Sequence, residues 1–240
     1  MKRIGYYPER KTGPLLDAFI NGFHHTLGPQ RLGMEAMATF MRLPKGASVK
    51  PSKVGGVPCE VISGMEDENQ RTILYLHGGG YCTCSARTHR FIVAILCRAA
   101  RARAIILDYR LAPEHPFPAA VEDCLAAYCH LLGEGYAPER VVPVGISAGG
   151  TLVLSTLLAA QELGLPMPAA AVLLSPAVDM LFLGESVLLN RETDWLAPER
   201  FRAMQEDYLA GHDPGDPLAS PLYADLSGLP PLLVQAGQRT

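Results

Sequence analysis

The chain has 240 residues, is 48% hydrophobic and 19% charged, and carries a net charge of −3. That is enough apolar material for one sizeable core, and the balanced charge excludes an electrostatic footprint for nucleic acid or another polyanion. Its six cysteines (Cys59, Cys82, Cys84, Cys97, Cys124, Cys129) show neither a Cys-x-x-Cys pair nor zinc spacing, so they read as reduced core thiols of a cytoplasmic protein and no metal is expected. The opening MKRIGYYPERK has no apolar run behind its charges, and the longest apolar stretch, PMPAAAVLLSPAV, is short and proline-bounded; neither a secretory signal nor a membrane span is expected.

In chain order, residues 1–45 read as largely helical with Gly and Pro breaks, followed by an antiparallel start around Val49–Ile62. Strand-length apolar runs then alternate with helical stretches: RTILYLH (71–77) strand, THRFIVAILCRAA (88–100) helix, RAIILDY (103–109) strand. PFPAAVEDCLAAYCHLL (116–132) is a helix with Val121, Leu125, Tyr128 and Leu132 on one face. RVVPVG (140–145) is a strand, and AGGTLVLSTLLAAQEL (148–163) is a helix apolar nearly all round, hence buried. AAAVLLS (169–175) and PPLLVQA (230–236) are strands, the last read as buried over Pro231–Ala236. Continuous apolar strands separated by helices imply a mostly parallel sheet covered on both faces. Residues 180–215 exceed an ordinary crossover and read as a lid.

Two glycine-rich stretches follow strands. GISAGG (145–150) contains Gly145-x-Ser147-x-Gly149 between a strand and a long apolar helix. The pattern alone is weak; the strand-to-helix context gives it meaning. A sharp turn there needs glycines, because a Cβ on either side would clash, and it lifts the Ser147 hydroxyl to a helix N-terminus. HGGGY (77–81) directly follows the strand RTILYLH. Its glycines let backbone N–H groups face a cavity without side-chain obstruction, where they can hold the negative oxygen of a tetrahedral intermediate. A phosphate cradle does not fit, since no Lys-Ser/Thr follows and no Gly-x-Gly-x-x-Gly spacing exists.

Together, about 70 residues apart and in this order, the two motifs resemble the α/β-hydrolase fold and, more narrowly, the hormone-sensitive-lipase-like carboxylesterases. LDYRLAPEHPFPAAVED (107–123) is similar to that family's connecting segment, and DPLASPLYADLSGLPPLLVQAG (216–237) to the approach to its acid-bearing turn; the resemblance covers roughly residues 40–237. It implies an N-terminal cap segment (1–45), a hydrolase core (46–179), a cap insertion (180–215) and a core continuation (216–240). It makes Ser147 the nucleophile and Gly79, Gly80 and the amide of Ala148 the oxyanion hole. His77 and Gly78 would order the glycine loop, Gly145 and Gly149 the serine turn, with Asp108, Arg110, Glu114 and His115 structural. Trp195, Phe182, Leu181 and Met34 would be candidate pocket-lining residues. Ile146 departs from the pattern, which usually has Asp or Thr there. The implied substrate is a small-molecule ester of short-to-medium acyl length or a lactone. No cofactor is needed, no nucleic-acid or membrane partner is implied, and a homo-oligomer is open.

The resemblance places the triad acid in the turn after LLVQAG and the histidine beyond it. Here that turn reads Gln238-Arg239-Thr240, and the last histidine is His212. The expectation is therefore a hydrolase core whose last strand and helix are missing, impaired as a catalyst. Asp179 is a weak surrogate acid and His212 a weaker surrogate base. The alternative is a non-catalytic small-molecule-binding protein on the same fold, as in the plant gibberellin receptors that resemble these esterases.

Overall fold

The computed structural model describes residues 27–63, 71–190 and 198–237. Helix α1 (Leu27–Ala38) precedes the hairpin β1 (Ser48–Val54) and β2 (Val57–Ser63). Then come β3 (Thr72–Leu76), α2 (Ala86–Ala100), β4 (Arg103–Leu107), α3 (Ala119–Gly133), β5 (Val141–Ile146), α4 (Ala148–Glu162) and β6 (Ala171–Leu174). Short α5 (Glu185–Leu189) and longer α6 (Pro198–Leu209) lie in the expected insertion, and β7 (Leu232–Gln235) closes the order.

The seven strands form one sheet in the order β1-β2-β4-β3-β5-β6-β7. β1 to β2 and β2 to β4 are antiparallel, whereas β4-β3-β5-β6-β7 run parallel. β3 sits in the middle, with Leu76 opposite Leu107 on one side and Gly145 on the other. Every β3 residue is buried, which explains why its sequence is an unbroken apolar run instead of an alternating one. Along it the pleat sends Ile73 and Tyr75 to the face covered by α2, and Leu74 and Leu76 to the face covered by α3 and α4.

Helix α2 starts two residues before its expected first residue. Ser85 and Thr88 form a capping box there, with Ser85 N–H donating to Thr88 Oγ1 at 3.0 Å. Asp108 Oδ1 accepts the Ala86 N–H at 2.6 Å, placing an acid at the positive end of the helix. Helix α4 is buried nearly all round, as its composition requires, and its polar groups are satisfied: Ser155 Oγ donates to Leu218 O at 2.6 Å and Thr156 Oγ1 to Leu152 O at 2.6 Å.

Two expectations need correction. The buried stripe of α3 is Val121, Cys124, Tyr128 and Leu131, with Ala120 and Ala127; Leu125 and Leu132 are only partly buried. The helix is rotated from the expected face because the alanines allow close approach to α4, which packs against it. The last strand is not buried. Leu233 is 62% and Val234 55% exposed, since β7 pairs with β6 on one side and with no described strand on the other.

Candidate active site

β3 and β5 are neighbours and parallel, so the loops leaving their carboxyl ends meet above the sheet, where open α/β sheets place ligands. The loop after β3 is His77-Gly78-Gly79-Gly80-Tyr81, and the residue after β5 is Ser147. An ideal Cβ built on Gly78 would lie 3.4 Å from Ser147 Cβ and 3.0 Å from the Ile146 carbonyl oxygen, which shows how closely the two loops approach.

Ser147 occupies φ 53°, ψ −123° as the N-cap of α4, yet its side chain caps no helix amide. A non-glycine residue in this region stores strain that the surroundings must hold. They do: Ser147 N–H donates to Leu174 O at 2.9 Å, and Ser147 O accepts from Gly150 N–H at 2.9 Å and Ala177 N–H at 3.3 Å. These bonds are all to backbone, so Ile146 at the departing position leaves the turn intact. Gly145 and Gly149 are required sterically. A Cβ on Gly145 would meet the Gly149 carbonyl oxygen at 2.1 Å.

The glycine loop is folded on the carbonyl of Gly79 (φ 113°), which accepts from Cys82 N–H at 3.1 Å, Thr83 N–H at 3.0 Å and Thr83 Oγ1 at 2.8 Å. The amides of Gly79, Gly80 and Ala148 donate to no carbonyl or side chain of a described residue. Unpaired amides in a structured loop are uncommon. Two of them lie in the loop that rests on Ser147, and the third begins the helix that Ser147 caps.

His77 is buried beneath this loop. Its Nδ1 donates to Gly78 O at 2.7 Å, its ring stacks on Tyr109 with centroids 4.2 Å apart, and Tyr109 Oη donates to its carbonyl at 2.7 Å. Burial, with neighbouring His89 adding to it, pushes its pKa down to about 3, so it is neutral and holds the loop in place. Arg110 stitches its own segment to α3 through Asp123, with Nε to Oδ1 at 2.9 Å and backbone N–H to Oδ2 at 2.8 Å. His115 is exposed at the surface.

The surrogates are placed elsewhere. Asp179 Oδ1 accepts from Leu181 N–H at 2.9 Å and Tyr223 Oη at 3.0 Å, and Oδ2 from Leu183 N–H at 3.0 Å. It orders the turn into the insertion and bonds to no described histidine. His212 Nδ1 donates to Leu209 O at 2.9 Å at the end of α6, with its ring edge on Phe117. Among the described residues no histidine is hydrogen-bonded to Ser147 Oγ. Of the pocket candidates, Met34 Sδ lies 3.6 Å from Cys84 Sγ, and Phe182 packs edge-on against Phe201, 5.6 Å between centroids. Leu181 lies at the surface, and Trp195 falls outside the described residues. Neither the cavity lined by Arg103, Leu131 and Tyr136 nor the one lined by Leu158, Leu218 and Tyr223 includes the serine turn or the glycine loop.

Three neighbours of the loop had no signature in the sequence. Met204 of α6 lies over Gly80, where a Cβ would fall 2.2 Å from its sulfur, and Tyr208 stacks on Tyr81 at 3.7 Å. Arg31 of α1 donates from Nε to Cys82 O at 2.7 Å and from Nη2 to Ala112 O at 2.8 Å, and pairs with both oxygens of Glu114 at 2.8 Å. The Arg31 guanidinium holds the Glu114 carboxyl down to about 2. No local pattern reveals contacts between residues 83 positions apart.

The sequence profile of the alpha/beta hydrolase fold matches residues 73–240. An acetyl-hydrolase of Streptomyces hygroscopicus is 48% identical over 171 residues, covering 71% of this chain and 57% of that protein. An esterase of Acinetobacter venetianus is 36% identical over 193 residues, covering 80% of this chain and 63% of that protein. The chain thus spans about three-fifths of the length of these relatives. The crystal structure of an esterase from the bacterial hormone-sensitive lipase family superposes with a TM-score of 0.87 at 45% identity, covering 96% of this chain and 80% of that one. A hormone-sensitive lipase from a metagenome library gives 0.88 at 38%, covering 97% and 80%. With the glycine loop, the strained serine and the sheet order already in place, the chain belongs to the alpha/beta hydrolase fold family, in its hormone-sensitive-lipase-like carboxylesterase branch.

Proposed function

We propose that the chain is the core of a serine carboxylic ester hydrolase acting on small esters of short-to-medium acyl length or on lactones. The observation that carries the reading is the set of Gly79, Gly80 and Ala148 amides that meet no described acceptor, beside a serine held at positive φ. Ser147 Oγ attacks the ester carbonyl carbon, and its proton passes to a base. The carbonyl oxygen gains the negative charge and is received by these amides and the N-terminus of α4. Collapse expels the alcohol and leaves an acyl-serine, which water hydrolyses to the acid. Buried, neutral His77 orders the loop and takes no part in proton transfer. We read α1 and the 180–215 insertion as the cap over the acyl group, with Met204 facing the loop from above. No cofactor enters this chemistry. None of the six cysteines is in a disulfide, which favours a reducing, cytoplasmic setting.

These 240 residues carry no histidine after His212. Turnover by this chain alone is then expected to be slow, because it rests on attack by a Ser147 hydroxyl that no histidine deprotonates. The absence of a histidine on Ser147 Oγ among the described residues favours one second reading, a non-catalytic binder of the same small molecules. Hydrolysis of p-nitrophenyl butyrate, with Ser147→Ala beside the parent chain, separates them. Slow turnover that disappears in the variant supports the esterase. Absent turnover with saturable binding of a non-hydrolysable butyrate amide supports the binder. Turnover unaffected in Ser147→Ala rejects the site.

A further inference from the structure

We propose that Arg31, on the N-terminal helix α1, is the positioning residue that aims the Gly80 amide at the reacting oxygen; this rests on the oxyanion-hole reading above. Two peptide planes connect Arg31 to that amide. In a trans peptide the carbonyl and the next residue's N–H share one rigid plane and point in opposite directions. Arg31 Nε donates to Cys82 O at 2.7 Å, which fixes the plane that carries the Thr83 N–H. That N–H donates to Gly79 O at 3.0 Å, which fixes the plane that carries the Gly80 N–H. Gly80, at φ 60°, thus has its donor directed away from the turn, and it meets no described acceptor.

A second path arrives at the same carbonyl. Arg31 Nη2 also donates to Ala112 O at 2.8 Å and so restrains, across the Ala112 Cα and less rigidly, the N–H that donates to Tyr81 O at 3.0 Å; the plane of Tyr81 O carries the Cys82 N–H, which donates to Gly79 O at 3.1 Å. Glu114 holds the guanidinium from behind through both carboxylate oxygens. Four bonds from one planar fork need arginine; a lysine supplies the charge but not the fixed geometry. Without the fork, only the turn's own bonds to Gly79 O hold the Gly79–Gly80 peptide, and two glycines, Gly79 at positive φ, resist its rotation least. An oxyanion hole is effective only if its donors are fixed before the charge develops. The cap helix therefore acts through Arg31 on the geometry of the chemical step and is more than a lid.

The test uses the full chain with Arg31→Lys and Glu114→Gln. Amide hydrogen exchange by mass spectrometry is read over residues 78–86 and, as internal reference, over α4. Exchange in 78–86 should quicken at least tenfold in Arg31→Lys and less in Glu114→Gln, with α4 unchanged. On p-nitrophenyl butyrate, kcat should fall at least tenfold in Arg31→Lys while KM stays within about threefold. A helix that merely packed would not produce that split. Unchanged exchange in 78–86 overturns the relay, as does Arg31→Lys turnover equal to that of the parent. If the parent chain shows no turnover, the esterase reading fails for this chain, and the exchange result alone decides the role of Arg31.

Discussion

Gly149 lies so close under the end of β3 that a Cβ on it would fall 2.0 Å from the Leu76 carbonyl oxygen. The obstacle is backbone in the central strand of the sheet, so it cannot move aside as a side-chain tip would. Gly149→Ala must push α4 off β3 or break the Ser147 turn. We expect a loss of about 3 kcal/mol or more, at the upper end of overpacking effects, seen as a lower urea midpoint. Gly133→Ala, where a Cβ meets nothing within 4 Å, is the matched control and should be close to neutral. Equal midpoints for the two variants would contradict the close approach.

Ser147 has φ 53°, where a side chain is strained. Ser147→Gly relieves that strain at the expense of backbone entropy in the unfolded chain. The expected balance is a gain of roughly 1 kcal/mol, within the range such strained positions carry. Ser147→Ala keeps the Cβ and should not show it. Thermal melts of the two variants side by side measure the difference. A glycine variant less stable than the alanine variant would show that the turn is unstrained.

His77 and His89 are both held neutral by burial, with pKa values pushed down to about 3 and about 4. In the unfolded chain each takes up its proton near pH 6.5. Between about 6.5 and 4 the unfolded state thus binds up to two more protons than the folded one, and stability falls as the pH falls. Glu114, held down to about 2 by Arg31, acts in the same direction below about 4.5, but it is largely exposed and solvent weakens its share. Urea midpoints should decline steadily from pH 7.5 to 4.5, and His89→Gln should flatten that decline by roughly half. Midpoints constant across the range would mean that the imidazoles protonate in place.

β7 presents Leu233 and Val234, 62% and 55% exposed, on a strand with one described neighbour. An open apolar edge is a template for another strand, whereas a lysine on it discourages pairing. The chain should self-associate at micromolar concentration, and Leu233→Lys should shift it toward monomer with little change in melting temperature. Size-exclusion chromatography with light scattering reads both. A parent chain that is already monomeric would dismiss the edge as an interface.

The framework of the fold was legible in the sequence because it depends on local rules. Apolar runs of strand length, a helix apolar all round, and Gly145 and Gly149 flanking Ser147 each follow from the period of an element or the steric demand of one turn. HGGGY after a strand and GISAGG before a helix named the candidate nucleophile and the candidate donor loop by the same logic. Tertiary structure decided the rest. Whether α3 buries Leu125 or Cys124 depends on which neighbour approaches most closely, and whether β7 is covered depends on strands outside its own sequence. Arg31 belongs to no motif, and it lies 83 positions from Glu114. Only when α1 is laid beside the loops after β3 and β4 do they meet and hold the peptide planes of the glycine loop. Non-local contact has no period and no spacing rule, so the sequence could name the candidate amides, but only the folded chain brings Arg31 to the loop that carries them.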